Sequence, residues 1–403
     1  MTGADGELGG GGEGGDVLRL TRPRVLMMVI AALLLAYALA LAPVVTGRGG
    51  EGAASRAPTT AETGAVVPAG AENPPLQLAA ELFPPAGKAF IGVMTDKGPY
   101  DFAAVDRFAA AARREPQVML FGVGWESGTF DRVLFDRIKD RGMLPMLGWE
   151  PWDYQVDQAA RKQKKLTVRQ IDRVRSTQPR YRLSRIVDGE FDSYLRSWAE
   201  GVKSLGYPVA IRFAHEMNGD WYPWGEKANG NRPGEYVEAW RHVHDLFERA
   251  GATNVIWVWS PNARWSKTTG HLAELYPGDD YVDWVGTTGY YGTGAWSGYS
   301  PFDAIFGPTI AEIRTFSRRP LVVTETGASN AGGHKARWIR ETFRALPKHR
   351  DVIGLIWFEV DKEMDWRIAS SPAAATAFAQ AVAAPRYDFR WSPDLVPRTD
   401  LDG

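Results

Sequence analysis

From Lys88 onward the chain alternates short apolar runs with longer stretches whose apolar residues recur every three or four positions. The runs are Lys88–Met94, Val118–Val123, Leu144–Gly148, Tyr207–Phe213, Val255–Ser260, Val282–Tyr290, Leu321–Thr324 and Val352–Phe358. Most are apolar at consecutive positions, the pattern of strands covered on both faces in a parallel sheet. Between them Phe102, Val105, Phe108 and Ala112 form one helical stripe. Tyr194, Leu195, Trp198, Val202 and Leu205 form a second, and Tyr236, Trp240, Val243 and Phe247 a third. Eight such units predict an α/β fold, a closed (β/α)8 TIM barrel over residues 81–385. A doubly wound open sheet is the alternative, but the first strand–helix turn lacks the Gly-rich phosphate loop of such sheets. Residues 386–403 read as a C-terminal tail packed loosely over the barrel.

The chain before the barrel has no such alternation. Residues 1–24, Gly-rich and polar with Arg19, Arg22 and Arg24 at their end, predict a disordered cytoplasmic segment. Val25–Val45 is an apolar run of 21 residues, long enough to cross a bilayer. Its basic flank favours an N-terminus inside, so an uncleaved single-pass anchor in the cell membrane is expected, with the barrel outside. A cleaved signal peptide ending at Ala40-Leu41-Ala42 is the competing reading and would give a secreted protein; Pro43 directly after that site opposes cleavage. Residues 46–80, mostly Gly, Ala, Pro, Thr and Glu, read as a flexible linker.

In a (β/α)8 barrel the C-terminal ends of the strands carry the chemistry. Two runs lead into a glutamate there. The fourth continues as Ala214-His215-Glu216-Met217-Asn218-Gly219 and the seventh as Glu325-Thr326-Gly327. After Glu216 comes an aromatic loop, Trp221-Tyr222-Pro223-Trp224. Paired carboxyls beside flat rings suit cleavage of a glycosidic bond: one protonates the leaving oxygen and the other stabilises or attacks the anomeric carbon. A single strand-end glutamate is as well explained by a salt bridge, but two at one mouth favour chemistry. Of the 16 tryptophans several belong in the core; Trp221 and Trp224, with Trp149 and Trp152 after the third run, are candidate platforms for sugar rings.

Composition narrows the partners. Lys plus Arg (47) balances Asp plus Glu (48), so overall charge implies no nucleic acid. The absence of cysteine excludes disulfides and thiolate metal sites. His242 and His244, two apart on a helix, diverge around it, and no metal or other cofactor is implied. One stretch breaks the balance. Arg161, Lys162, Lys164, Lys165, Arg169, Arg173, Arg175, Arg180, Arg182 and Arg185 are offset only by Asp157 and Asp172. It reads either as a solvated helical excursion or as a basic rim for anionic lipid headgroups or an acidic polysaccharide.

His215-Glu216-Met217-Asn218-Gly219 with Trp221 and Trp224, and the later Thr324-Glu325-Thr326-Gly327, resemble glycoside hydrolase family 26 over about Phe83 to Ile368. That family holds β-mannanases and some β-1,3-1,4-glucanases. The resemblance implies a retaining endo-glycosidase acting on a β-linked polysaccharide by double displacement. It makes Glu216 the general acid/base, Glu325 the nucleophile, Tyr290 the tyrosine touching the nucleophile and His215 the histidine beside the acid. Trp357, Trp366 and Arg367 resemble the family's floor and substrate-positioning arginine. Arg212, at the end of the strand that bears Glu216, is a candidate donor to Glu325. Asn218 bonds either a sugar hydroxyl or its own turn. Two departures leave mannan against mixed-linkage glucan open: Thr288 stands where family mannanases often have Asp, and Trp221-Tyr222-Pro223-Trp224 replaces their Trp-Phe-Trp-Trp. A monomer is expected. A non-catalytic polysaccharide-binding protein, or an exopolysaccharide-assembly partner on the same barrel, is the alternative.

Overall fold

The structure is a computed structural model that describes residues 81–264, 270–294 and 298–399. Eight parallel strands close into a barrel in chain order. They are β1 (Phe90–Met94), β2 (Val118–Gly124), β3 (Leu144–Glu150), β4 (Val209–Phe213), β5 (Val255–Trp259), β6 (Trp284–Tyr291), β7 (Leu321–Ala328) and β8 (Val352–Phe358). The helices around it are α1 (Ala103–Ala112), α2 (Arg132–Asp140), α3 (Tyr154–Lys162), α4 (Val168–Ser176), α5 (Leu183–Val187), α6 (Asp192–Leu205), α7 (Glu235–Ala250), α8 (Phe302–Ile313), α9 (Lys335–Ala345) and α10 (Pro372–Val382). The fold is the expected (β/α)8 barrel. Its fifth unit departs from the pattern: between β5 and β6 the described residues hold only 3-10 turns, Leu272–Leu275 and Asp279–Tyr281.

Side-chain alternation along each strand divides the core in two. Leu144 and Met146, Val118 and Leu120, and Ile256 and Val258 fill the barrel interior. Their neighbours Leu147, Trp149, Phe121, Trp257 and Trp259 point outward and pack against the helices. The same alternation carries the interior positions onward to the mouth: past Met146 to Glu150 on β3, and past Ala210 to Arg212 on β4.

At the opposite end the tail after Pro385 is part of the core rather than a loose cover. Trp391 and Leu395 join Phe83, Phe90 and Trp284 in the interior cluster. Val396–Pro397 pairs in parallel with Leu82–Phe83, Arg398 donates to the carbonyls of Pro84 and Pro85, and Trp284 Nε1 donates to Arg398 O at 2.7 Å. The apolar interior of a barrel needs a lid at its base, and these rings supply it.

β7 runs four residues beyond the expected Thr324 and carries a bulge. Thr287 and Thr288 of β6 face Val323 and Glu325, so Thr324 is the extra residue; on the other side Val323 and Thr326 face Leu355 and Trp357. A bulge re-aims side chains. Thr324 Oγ1 donates to Thr287 O at 3.1 Å and lies 2.6 Å from Ser260 Oγ, while Glu325 reaches the mouth. The apolar run Val25–Val45 and the linker 46–80 lie outside the described residues. Among those residues no helix is long and apolar enough to cross a membrane.

Candidate active site

β4 ends at Phe213, and the chain turns sharply over the next three residues. Ala214 (φ 43°) and Glu216 (φ 55°) both take left-handed conformations, which cost a side-chain-bearing residue about 1 kcal/mol or more each. Hydrogen bonds hold the turn: Ala214 N donates to Trp149 O (3.0 Å) and Glu216 N to Ser260 O (2.8 Å), and Tyr236 Oη donates to Ala214 O (3.2 Å). The turn directs the Glu216 carboxyl into a buried site. Its Oε2 accepts from Trp221 Nε1 at 2.8 Å and its Oε1 from Asn262 Nδ2 at 2.9 Å. Burial, then the negative charge of Glu325, raises Glu216 above the usual carboxylate range; Arg212 and the two donors pull the other way.

Glu325 has different company. Arg212 Nη1 donates to its Oε2 at 2.9 Å, and the Tyr290 hydroxyl donates to its Oε1. The guanidinium is buried and its other nitrogens are spoken for: Nε donates to Ser260 Oγ at 3.1 Å and Nη2 to Thr288 Oγ1 at 2.5 Å. Both of those partners are neutral, so the charge of Arg212 is matched by Glu325 alone among its hydrogen-bond partners. Burial and the adjacent Glu325 hold the Tyr290 phenol well above its ordinary value, so it acts as a donor.

Asn262 was not among the residues singled out in the sequence, where the fifth run ends at Ser260. It extends β5 by one bridge to Thr288, and Asn218 clamps its backbone from both sides. Asn218 Nδ2 donates to Asn262 O, and Asn262 N donates to Asn218 Oδ1, each at 2.9 Å. Fully buried Asn218 therefore sets the amide that touches Glu216.

A cleft of about 640 Å³ opens beside these residues, lined by Arg212, His215 and Glu325 together with Glu126, Glu150, Trp152 and Tyr222. Glu150, the last residue of β3, is a third carboxyl that the sequence reading passed over. Burial pushes it up to about 7, against the pull of Arg212. Its Oε1 lies 3.9 Å from His215 Nδ1, too far for a hydrogen bond. Burial, then Arg212, holds His215 well below its ordinary value, so the ring is neutral at physiological pH. Among the described residues no three His, Asp or Glu side chains converge as metal ligands.

The arrangement pairs a carboxyl raised by burial with another bound to a buried cation, on the fourth and seventh strands of one barrel. Residues 150–333 match the family model for glycosyl hydrolase family 26. Over that stretch the chain is similar to glycosyl hydrolase family 26. It is 32% identical over 290 residues to Endoglucanase H of Acetivibrio thermocellus, covering 70% of this chain and 29% of that protein. It is 30% identical over 161 residues to a mannan endo-1,4-beta-mannosidase of Bacillus subtilis, covering 37% and 40%. The chain thus spans less than half the length of either relative. Among solved structures, the fold resembles a GH26 beta-mannanase from Bacteroides ovatus, with TM-score 0.52 and 20% identity over 75% of this chain and 90% of that one. It also resembles an endo-beta-1,4-mannanase double mutant from Cellulomonas fimi, with TM-score 0.53 and 20% identity over 75% and 73%.

Three tryptophans fall where the sequence did not place them. Trp149 is fully buried, with Nε1 donating to the Tyr194 hydroxyl at 3.3 Å, and it packs on Trp198 and Phe247 behind the barrel wall. Trp357 likewise faces Trp338 and Phe378. Trp224 folds under the loop, stacks on Tyr222 at 4.4 Å and donates to His215 O at 2.5 Å. None of the three can meet a sugar face. Trp221 is partly exposed beside Glu216, and Trp152 lines the cleft edge-on to Tyr222. Trp366 packs against Tyr290 at 4.9 Å, and half-exposed Arg367 pairs with Asp361 and Asp365.

Proposed function

We propose that the protein is a retaining endo-glycosidase that cleaves a β-linked polysaccharide, β-1,4-mannan or mixed-linkage β-1,3-1,4-glucan, by double displacement. Glu325 attacks the anomeric carbon while Glu216 protonates the departing oxygen; Glu216 then removes a proton from the water that releases the glycosyl group from Glu325. The observation that carries this reading is the unequal pair: Glu216 is raised and held by neutral donors, whereas Glu325 is bound by Arg212 and Tyr290. Arg212 fixes the nucleophile's orientation, and Tyr290 steadies it from the other oxygen. Partly exposed Trp221 joins the acid to the expected sugar-binding face. The endoglucanase and mannosidase names of the relatives support a β-linked polysaccharide as substrate and leave both backbones in view.

The test is release of reducing ends from a panel of β-mannans and β-glucans, with the first-formed anomer followed by proton NMR. A β product is expected; an α product rejects double displacement, and no release from any polymer rejects the enzyme. We also propose that the apolar run Val25–Val45 tethers the barrel outside the cell membrane. The full chain should then stay with membranes at high salt, and a mature N-terminus at Pro43 would show a cleaved signal instead.

A further inference from the structure

The basic stretch from Arg161 to Arg175 lies in the hairpin α3–α4, with Arg180, Arg182 and Arg185 beyond it, and hydrolysis as described makes no use of the hairpin's charges. Local capping builds the hairpin. The Asp153 side chain accepts from Gln155 N to start α3, and Thr167 and Gln170 exchange side chain–backbone hydrogen bonds to start α4. Two arginines tie it to the rest of the barrel: Arg161, braced within α3 by buried Asp157 at 2.7 Å, reaches Glu363 Oε1 at 3.4 Å, and Arg175 Nε donates to Trp221 O at 2.8 Å on the loop after Glu216. Tyr154, Asp157, Arg161 and Arg175 line the cleft itself.

Further along the hairpin Lys162, Lys164, Lys165, Arg169 and Arg173 are all exposed. Among the described residues none of the five forms an ion pair, whereas Arg161 pairs with Asp157 and Glu363 and Arg175 with Asp172. Between 161 and 176 the one acid is Asp172, already held by Arg175 at 2.8 Å. Arg169 and Arg173, four apart on one helix, repel each other. The whole chain carries a formal charge of −1, so this concentration of charge is local. Neutral mannan or glucan has nothing to offer such a surface, and a polymer bearing acidic groups supplies the missing countercharge. The cations begin at the cleft rim, where a polymer lying in the cleft emerges. A membrane seated on them would stand across that rim, but a polymer can occupy the cleft and the hairpin together.

We propose that the α3–α4 hairpin binds anionic substituents, carboxylates above all, on the polysaccharide that lies in the cleft. The inference takes the position of the polymer from the glycosidase reading, and its charge from the hairpin. The full chain in neutral detergent is tested by affinity electrophoresis through gels containing a carboxymethylated β-glucan, its uncharged parent or polyacrylate, beside a variant with Lys162→Gln, Lys164→Gln, Lys165→Gln and Arg169→Gln. The wild-type chain should bind the carboxymethylated polymer about tenfold more tightly at low salt than the uncharged one, and lose that preference at about 0.5 M salt. The variant should show no preference while unfolding at an unchanged temperature. Equal retardation by charged and uncharged polymers, a preference retained by the variant, or equal retardation by polyacrylate overturns the proposal. So does loss of binding to phosphatidylglycerol vesicles in the variant with polymer preference intact, which assigns the hairpin to a membrane. Hydrolysis is assayed in parallel: retardation that depends on the hairpin without any hydrolysis removes the glycosidase reading and keeps the surface.

Discussion

The ends of β4 and β7 each present one glutamate to the same mouth, and the chain treats the two oppositely. At β4 the carboxyl sits on a turn with two left-handed residues, deep in protein, and meets only an indole and an amide. At β7 it sits on a bulge inside a regular strand and meets a buried guanidinium and a phenol. Neutral donors on one side and a full positive charge on the other give one residue type two environments, as the proposed division into acid and nucleophile requires. Thr288 contributes to the difference. An aspartate there would compete for Arg212, whereas a hydroxyl fixes the guanidinium and leaves its charge to Glu325.

Removing the carboxyls tests the division directly and has the largest effect. Glu325→Ala should lower kcat on every substrate by roughly 10⁴-fold or more. Glu216→Ala should lose roughly 10²–10⁴-fold on polymer, yet form its glycosyl-enzyme readily from an activated aryl glycoside and recover turnover with azide. Equal losses on the aryl substrate, with azide restoring neither, would break the comparison. Arg212→Met should cost about 3–5 kcal/mol of stability, because Glu325 is left largely buried without its cation. In denaturant titrations the double variant with Glu325→Gln should regain much of that loss but none of the activity.

Smaller changes sharpen the picture. Asn262→Ala removes a donor that favours ionised Glu216, so Glu216 rises further and the descending limb of kcat/KM moves to higher pH. The accompanying loss of rate should be modest, about fivefold. A limb that stays in place would mean that Asn262 serves only the turn. Glu150 tests burial without catalysis. It stands at about 7 in the folded chain against an ordinary 4.5, so the folded state binds the extra proton and stability falls as pH rises between those values. Glu150→Gln has no proton to lose and should flatten that fall by at most about 3 kcal/mol, read from unfolding midpoints at pH 5 and pH 8.

The order of strands, the closed barrel and the identity of both strand-end glutamates were legible in the sequence, because consecutive apolar residues mark a buried parallel strand and its polar end marks the mouth. Which neighbour faces the mouth was not. Trp149 and Glu150 are adjacent on β3, and alternation sends the ring outward to the helices and the carboxyl into the cleft. Aromatic content drew attention to the wrong one of the two. Trp357, placed on the floor by resemblance, is turned outward by the same alternation, and Trp224 was misplaced because a loop tryptophan can fold inward to cap a carbonyl. Asn262 lies 46 residues from Glu216 along the chain, and only closure of β4 against β5 brings its amide to the acid. The tail shows the converse: short, Pro-containing and charged, it reads as peripheral, yet Trp391 and Leu395 fill the base of the barrel. Sequence determined which segments become strands and what chemistry their ends offer. The direction each side chain faces, and the partners that separate an acid from a nucleophile, follow from pairing parity, one bulge and contacts between distant segments, which exist only once the barrel has closed.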